Sequence, residues 1–396
     1  MAAEAKLAEL VFAHDYAFLH GRDGKVYSDR GDWAWHRYLD VAERLTVTSR
    51  ARELPPNTTL EGLTPMDQAG VSYEPIPSVS GPLLRYTNRR EAVRRLRSAL
   101  ERADGLIARL PSEIGSLAVD VADRLGKPAL VEVVTCTWDA LWNYGTWQGK
   151  VYAPISWWKT RRQVGGAGFA VYETESFLQG RYPSSGRAVQ CPSVELPEVD
   201  DSVLDRRLER IEGRRTPFVI GLIGALSVGF KGIDTAVEAL SRERERLPAF
   251  ELRILGSGDP APWQRLAAQA GVAAQVRFDG VLPSGERVND WLDAVDLYIQ
   301  PSFQEGLPRA TLEAMSRACP ALGSTAGGIP ELLSPDCLHR PGDTERLGAL
   351  IRRGVDPEWQ AAQARRNFEV ARRYTRPVLD GIRKEFFQEF ARSARA

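Results

Sequence analysis

Short apolar runs alternate with helical patterns through the second half of the chain. Phe218–Ile223, Phe250–Leu255, 276–278 and Leu297–Gln300 read as buried strands, with helices at 234–241, 263–270, 285–295 and 308–318 between them. Strands that are apolar on both faces and separated by helices predict a parallel sheet covered on both sides. The first half repeats the pattern more loosely, with strand candidates at 10–13, 45–48, 105–108, 129–134 and 168–172. The predicted fold class is therefore α/β, with two doubly wound Rossmann-like domains facing across a cleft. Residues 1–190 form the first and 217–376 the second. The stretch 183–217 is rich in Ser, Pro and charge and shows no sustained apolar period, so 191–216 is expected to be the linker. Residues 377–396 carry Val378, Ile382, Phe386, Phe387 and Phe390 on one helical face, which is expected to pack back toward the first domain. Ligands of such sheets bind beyond the carboxyl ends of the strands, in the cleft.

Composition narrows the partners. The 396 residues include 52 Lys and Arg against 52 Asp and Glu, so no global field holds a polyanion and nucleic acid is set aside. The neutral total hides Arg85, Arg89, Arg90, Arg94, Arg95 and Arg97 beside the single acid Glu91. That stretch is either a solvated helix face or a peripheral contact with an anionic membrane. Cys136, Cys191, Cys319 and Cys337 are far apart, which writes neither a disulfide framework nor a zinc site. No cofactor and no metal are expected. Glu4, Lys6 and Glu9 interrupt any apolar leader, and no window is apolar enough to span a bilayer, so the expected location is cytoplasmic, or peripheral to the inner face of the membrane.

The densest candidate chemistry is Gln300-Pro301-Ser302-Phe303-Gln304-Glu305-Gly306-Leu307-Pro308-Arg309, a strand end and tight loop running into a helix that carries Glu313. Pro308 suits the first helical turn and Gly306 lets backbone approach a ligand. Free N–H groups at that helix start suit phosphate. Glu305 and Glu313 are unsuited to phosphate but accept from hydroxyls. Phosphate in the middle with hydroxyls at both ends describes a nucleotide sugar. A second glycine-bearing loop, from Gly221 through Gly224 to Lys231 and Gly232, brings a cation to the same end of the sheet, and Ser324 to Glu331 makes a third turn. Gly256-Ser257-Gly258 imitates a dinucleotide fingerprint but is not at a first strand–helix turn, and Pro260 and Pro262 crowd its helix.

These elements, in this order, resemble the C-terminal domain of glycosyltransferase family 4, enzymes of GT-B fold. The matching text is Phe230-Lys231-Gly232-Ile233-Asp234, Leu255-Gly256-Ser257-Gly258, Phe278-Asp279-Gly280, Glu305-Gly306, Glu313-Ala314-Met315 and Gly327-Gly328 before Glu331. Residues 108–112, 131–133 and 177–183 further resemble enzymes of bacterial capsule and exopolysaccharide assembly. The resemblance implies transfer of a sugar from a nucleotide-diphosphate donor, UDP- or GDP-linked, to a saccharide or lipid-linked acceptor with retention of configuration. It assigns Lys231 to the diphosphate, Glu305 to the sugar hydroxyls, Gly306 and Leu307 to phosphate through their N–H groups, Glu313 to the ribose, and the loop around Leu282 to the base. Gly224, Gly256 and Arg309 complete the donor side. Catalytic candidates are Glu305, Lys231 and Asp139.

Three departures stand out: Ala225 where many members have Arg, Ala318 where Gly is usual, and no tandem glycine after the first strand, where His14-Asp15 stands instead. On the acceptor side His14, Arg109 and Trp138 are candidates, each also readable as local structure: a satisfied His, a sheet-edge Arg, a core Trp. Asp139 reads equally as a helix cap. Seven of the ten Trp residues precede residue 160, and core roles are expected for most. A nucleotide-sugar epimerase or hydrolase of the same fold, and an inactive partner subunit of a polysaccharide-assembly complex, are the alternatives.

Overall fold

The computed structural model describes residues 6–21, 23–28, 33–54, 63–143 and 145–395. The first sheet contains β1 (Leu7–His20), β2 (Val26–Ser28), β3 (Ala42–Glu53), β4 (Thr64–Pro65), β5 (Val71–Ile76), β6 (Gly105–Leu110), β7 (Ala129–Val133), β8 (Phe169–Tyr172) and β9 (Arg187–Gln190). Its parallel core runs β5-β3-β1-β6-β7-β8-β9, with β2 antiparallel to the end of β1 and β4 antiparallel to β2. The helices of this half are α1 (Trp33–Leu39), α2 (Pro82–Arg102), α3 (Glu113–Leu125), α4 (Thr137–Asn143), α5 (Trp147–Gly166) and α6 (Phe177–Arg181).

Strand periodicity builds two cores around that sheet. Along β1, Val11 and Ala13 face the core shared with α2 and α3, while Leu10 and Phe12 face the opposite one. The opposite core is closed by Trp35 and Tyr38 of α1 and, from the end of the chain, by Phe386, Phe387 and Phe390. Those three sit on the last helix, Arg376–Arg395, whose apolar face covers β1 and β8, as Phe169 meeting Phe386 and Phe390 edge-on makes plain. Val378 is 44% exposed and stands outside that contact.

The stretch 183–217, which includes the expected linker, holds structure of its own. Residues Arg187–Gln190 extend the first sheet as β9, and α7 (Ser202–Glu212) follows. Its buried positions are Val203, Arg207 and Ile211, one per turn. The apolar period is hidden because the middle position is an arginine, whose guanidinium donates to the carbonyls of Leu292, Val295 and Arg317. Burial of that charge is tolerated because several donors are satisfied at once.

The second sheet is β10 (Phe218–Ile223), β11 (Phe250–Leu255), β12 (Val276–Gly280), β13 (Leu297–Gln300), β14 (Ala321–Ser324) and β15 (Leu338–His339), all parallel. Its helices are α8 (Ile233–Glu243), α9 (Ala261–Gln269), α10 (Glu286–Asp293), α11 (Arg309–Ser316), α12 (Ile329–Leu332), α13 (Thr344–Arg353) and α14 (Pro357–Arg372), before the final α15 (Arg376–Arg395). The spatial order β12-β11-β10-β13-β14-β15 reverses direction between β10 and β13. Loops leaving the two strands at such a reversal diverge to opposite faces and open a crevice, which makes 224–232 and 301–308 the ligand-facing loops of this sheet. Ala318, after α11, has φ 51, a left-handed conformation that glycine adopts without strain, so the departure noted from sequence carries a steric cost here.

Candidate active site

Close backbone packing holds the two crevice loops together. Phe303 donates its N–H to the Phe230 carbonyl at 2.7 Å. Gly232 has φ +72, and a Cβ there would fall on the Pro301 carbonyl oxygen. Glycine is required on both counts. The result places the Lys231 ammonium 2.7 Å from Glu305 Oε1, with the two side chains 21% and 10% exposed. The same oxygen accepts from Ser302 Oγ at 2.7 Å and Gln300 Nε2 at 3.1 Å. The resemblance assigns Lys231 and Glu305 to different parts of a ligand; in the structure they pair with each other. Gly224 packs on the Lys231 stem, where a Cβ would come 2.9 Å from Cγ, and Gly256 lies against the Gly224 carbonyl.

Helices α8 and α11 start at this spot, capped by Gly232 and Pro308 with no side-chain hydrogen bond at either N-terminus. Pro308 is the cap of α11, one residue ahead of the expected first turn. One turn into α11, Glu313 pairs with Arg309 at 3.2 Å; Arg309 is 63% exposed. Burial raises the Glu313 carboxyl above its ordinary pKa, and Arg309 opposes that shift. Leu307 is buried in the second core, and Leu282, in the loop after β12, packs on its edge.

Gly306 has a packing task besides the one expected. A Cβ there would come 2.7 Å from the Val134 carbonyl, just past β7 in the other half, so its bareness lets the two halves meet. Asn143 of α4 reaches the Phe303 carbonyl at 3.5 Å across the same boundary. The Gly327-Gly328 turn lies against the Glu305-Gly306 loop, Gly328 donating to the Gly306 carbonyl at 2.8 Å.

From that turn, Glu331 crosses to the first half. Its carboxylate accepts from the backbone N–H groups of Glu175 (2.6 Å), Ser176 (2.9 Å) and Phe177 (2.8 Å), and from Ser176 Oγ (2.9 Å). Hydrogen bonds to an ionised acceptor contribute about 1.5–3 kcal/mol each when both groups are well placed. Glu331→Ala is expected to cost about 2 kcal/mol and to loosen the halves, read as a larger radius of gyration in solution scattering of the ligand-free protein. An unchanged radius and an unchanged urea midpoint would remove Glu331 from that role. Sequence shows only a Pro-Glu helix start here; its distant partners leave no local signal.

The acceptor-side expectations fare unevenly. His14 is inside β1, where the pairing with β3 shifts register between Ala13 and Ala17, and its ring lies 4.0 Å from that of Tyr16. The irregularity turns Asp15 toward α3: its carboxylate accepts from the N–H groups of Glu113 (2.6 Å) and Ile114 (3.1 Å), and Ser112 Oγ caps Gly115. The N-terminus of α3 is thus occupied by a side chain, unlike those of α8 and α11. Arg109 is neither beyond a strand nor at a sheet edge. It lies within β6 and is held by Glu173 at 3.2 Å, Ser193 at 2.8 Å, Tyr16 at 3.2 Å and Glu132 at 3.9 Å. A cation already matched by two carboxylates in the interior is unsuited to an acceptor phosphate. Asp139, in the first turn of α4, pairs with Arg181 at 3.5 Å, and Trp138 stacks on Trp142. Trp35 is buried and Trp138 and Trp157 are half-buried, but Trp142, Trp147 and Trp158 are exposed, so the expected core role fails for three of them. The side chains of Trp33 and Arg85 lie outside the described residues.

Among the described residues no group of three or more His, Cys, Asp or Glu is placed to hold a metal ion, and no helix is long and apolar enough to cross a membrane.

Comparison with known proteins agrees with this geometry. Residues 217–356, the sheet that carries Lys231, Glu305 and Glu313, match the family described as glycosyl transferases group 1. The chain is 28% identical over 348 residues to Protein CapJ of Staphylococcus aureus, covering 88% of this chain and 86% of that one. Among solved structures, sucrose-phosphate synthase from Thermosynechococcus elongatus superposes with a TM-score of 0.67 at 16% identity, covering 98% of this chain and 100% of that one. Anabaena HepE in complex with UDP-glucose does so with a TM-score of 0.63 at 16% identity, covering 96% and 98%. With its strand reversal at the Lys231–Glu305 pair and a second, mostly parallel sheet beside it, the chain has the GT-B architecture, and its residues 217–356 match the group 1 glycosyl transferase family.

Proposed function

We propose that this chain transfers a sugar from a nucleoside-diphosphate donor to a saccharide or lipid-linked acceptor, with retention of configuration. The observation that carries the reading is the Lys231–Glu305 pair at the strand reversal, flanked by two helix N-termini without side-chain caps. That arrangement offers an anion one cation and two sets of N–H groups, and offers hydroxyls one carboxylate. The UDP-glucose held by the HepE neighbour is a ligand of that chemistry.

In this reading the donor diphosphate draws Lys231 from Glu305, whose carboxylate turns to the sugar hydroxyls. The bond between the anomeric carbon and the phosphate oxygen breaks, and the acceptor oxygen bonds to the same face of that carbon. The acceptor proton passes to the leaving phosphate oxygen, so no protein base is consumed. Lys231 and the helix N-termini stabilise the developing diphosphate charge, which is worth most in a cleft closed to water. Glu313, half-buried one turn into α11, accepts from the ribose hydroxyls, and the loop at Leu282 borders the base.

The test is thermal unfolding with a panel of nucleoside diphosphates and nucleotide sugars. A true ligand at 100 times its dissociation constant adds about 2.7 kcal/mol. Glu313→Gln is expected to lower that ligand's affinity about 10- to 100-fold without destabilising the free protein at neutral pH. The sign follows from linkage: an acid whose folded pKa is raised binds its proton more tightly when folded, so its ionisation detracts from stability in full above that raised pKa, and the detraction shrinks as pH falls below it and is gone below the ordinary carboxyl pKa of the unfolded chain. No stabilisation by any nucleoside diphosphate would defeat the transferase reading. Donor consumption without any acceptor would instead identify an epimerase or hydrolase.

A further inference from the structure

Nine large hydrophobic side chains are exposed among the described residues, and five of them lie between residues 142 and 158: Trp142, Trp147, Val151, Ile155 and Trp158. The last four are on α5 and are 71%, 61%, 58% and 60% exposed. Their spacings of four, four and three place them within an arc of roughly 80° that runs about 16 Å along the helix. The opposite face carries the buried Gly149, Ala153, Thr160, Gln163 and Val164, so α5 is anchored to the first half by one side and leaves a continuous apolar stripe on the other.

Charge flanks that stripe on both sides. Lys150, Lys159, Arg161 and Arg162 are the charged residues of α5, which has no acid. At helical spacing Arg162 falls within the arc, Lys159 on one flank, and Lys150 and Arg161 on the other. A groove of about 680 Å³ opens beside Ile155 and Trp158, where Arg124 and Lys127 join Lys159 and Arg162, against Asp120 and Asp123. A second copy of this chain suits such a face poorly, because a two-fold contact through the stripe would bring the four cations against their own images. Lipid phosphates above an acyl boundary complement both features, with tryptophan at each end of the stripe.

We propose that α5 docks this protein on an anionic lipid bilayer, Trp147, Val151, Ile155 and Trp158 entering the acyl boundary while Lys150, Lys159, Arg161 and Arg162 meet the headgroup phosphates. The surface differs from the Arg-rich stretch singled out from sequence. In that stretch Arg94 and Arg95 are engaged by Glu91, and Arg97 by Glu101; on α5 Lys159 pairs with Asp120 at 3.3 Å, and among the described residues Lys150, Arg161 and Arg162 make no ion pair. The helix before it, α4, touches the Phe303 carbonyl through Asn143. The docking itself does not depend on the transferase reading.

The experiment is co-sedimentation of the full chain with vesicles of phosphatidylcholine alone and with roughly 30 mol % phosphatidylglycerol. Binding to the anionic vesicles is expected, with a blue shift of tryptophan emission. Trp147→Ser/Trp158→Ser should lower the partition coefficient at least about tenfold, with an unchanged thermal transition. Lys159→Gln/Arg162→Gln should lower it about 25-fold on anionic vesicles alone, at about fivefold per cation. Absence of binding to the anionic vesicles, or equal binding by parent and tryptophan variant, overturns the proposal. So does a parent dimer in sedimentation velocity that the tryptophan variant dissociates.

Discussion

Replacing Lys231 with Met is expected to lower turnover about 100- to 1,000-fold, the range seen when one preorganised donor to a developing charge is removed. In the free protein the ammonium is matched to Glu305 at 2.7 Å, and its stem is fixed against Gly224. Little reorganisation therefore separates the resting ion pair from contact with a diphosphate. Glu305→Gln should act in the opposite sense on affinity. The amide can still receive Ser302 and Gln300, but Lys231 loses its competing anion, so nucleoside diphosphate is expected to bind at least as tightly while turnover falls. Steady-state kinetics combined with calorimetric titration of the diphosphate separates the two effects. If Lys231→Met keeps more than about a tenth of the parental turnover, another cation neutralises the leaving group, and the role proposed for Lys231 is wrong.

The second sheet is legible almost strand by strand because its central strands are largely buried and are followed by glycine or proline; β12, at the edge, is a strand as expected but has no buried residue. Phe218–Ile223, Phe250–Leu255 and Leu297–Gln300 have the same bounds in sequence pattern and structure. The exceptions are informative. β14 is four residues, Ala-Leu-Gly-Ser, too short and too small-chained to announce itself, although all four are buried. β5 contains Pro75, which argues against a strand in isolation, yet it pairs along its full length with β3 at the sheet's edge. β1 was visible only as its apolar centre at 10–13; the polar residues at its irregularity conceal a fourteen-residue strand.

The candidate site shows the same division. Residue types and order pointed to Lys231, Glu305 and Glu313, since each belongs to a local strand–loop–helix unit. That Lys231 and Glu305 bond each other could not be read, because 74 positions separate them and only the strand reversal brings their loops together. The roles of Glu331 and Asp15 leave no local sign for a related reason: the helix N-termini they serve lie far away in sequence.

Arg109 offers the sharpest separation of structure from catalysis. Its side chain, 15% exposed, extends from β6 toward Glu132 on the neighbouring β7 and Glu173 just past β8. Burial works against its charge, yet Glu132, Tyr16 and Glu173 more than offset this and raise its pKa. Arg109→Met would leave two interior carboxylates without their cation, and removing one partner of a buried ion pair costs about 3–5 kcal/mol. Loss of that size is expected in urea denaturation, with partial recovery in Arg109→Met/Glu173→Gln, because the second change removes one of the stranded charges. A residue that binds an acceptor phosphate behaves otherwise: its loss raises the acceptor KM and leaves the urea midpoint in place. Stability equal to the parent together with a raised acceptor KM would therefore return Arg109 to the substrate, whereas recovery by the Glu173 change fixes it as the counter-ion that lets β6, β7 and the chain past β8 bury their carboxylates side by side.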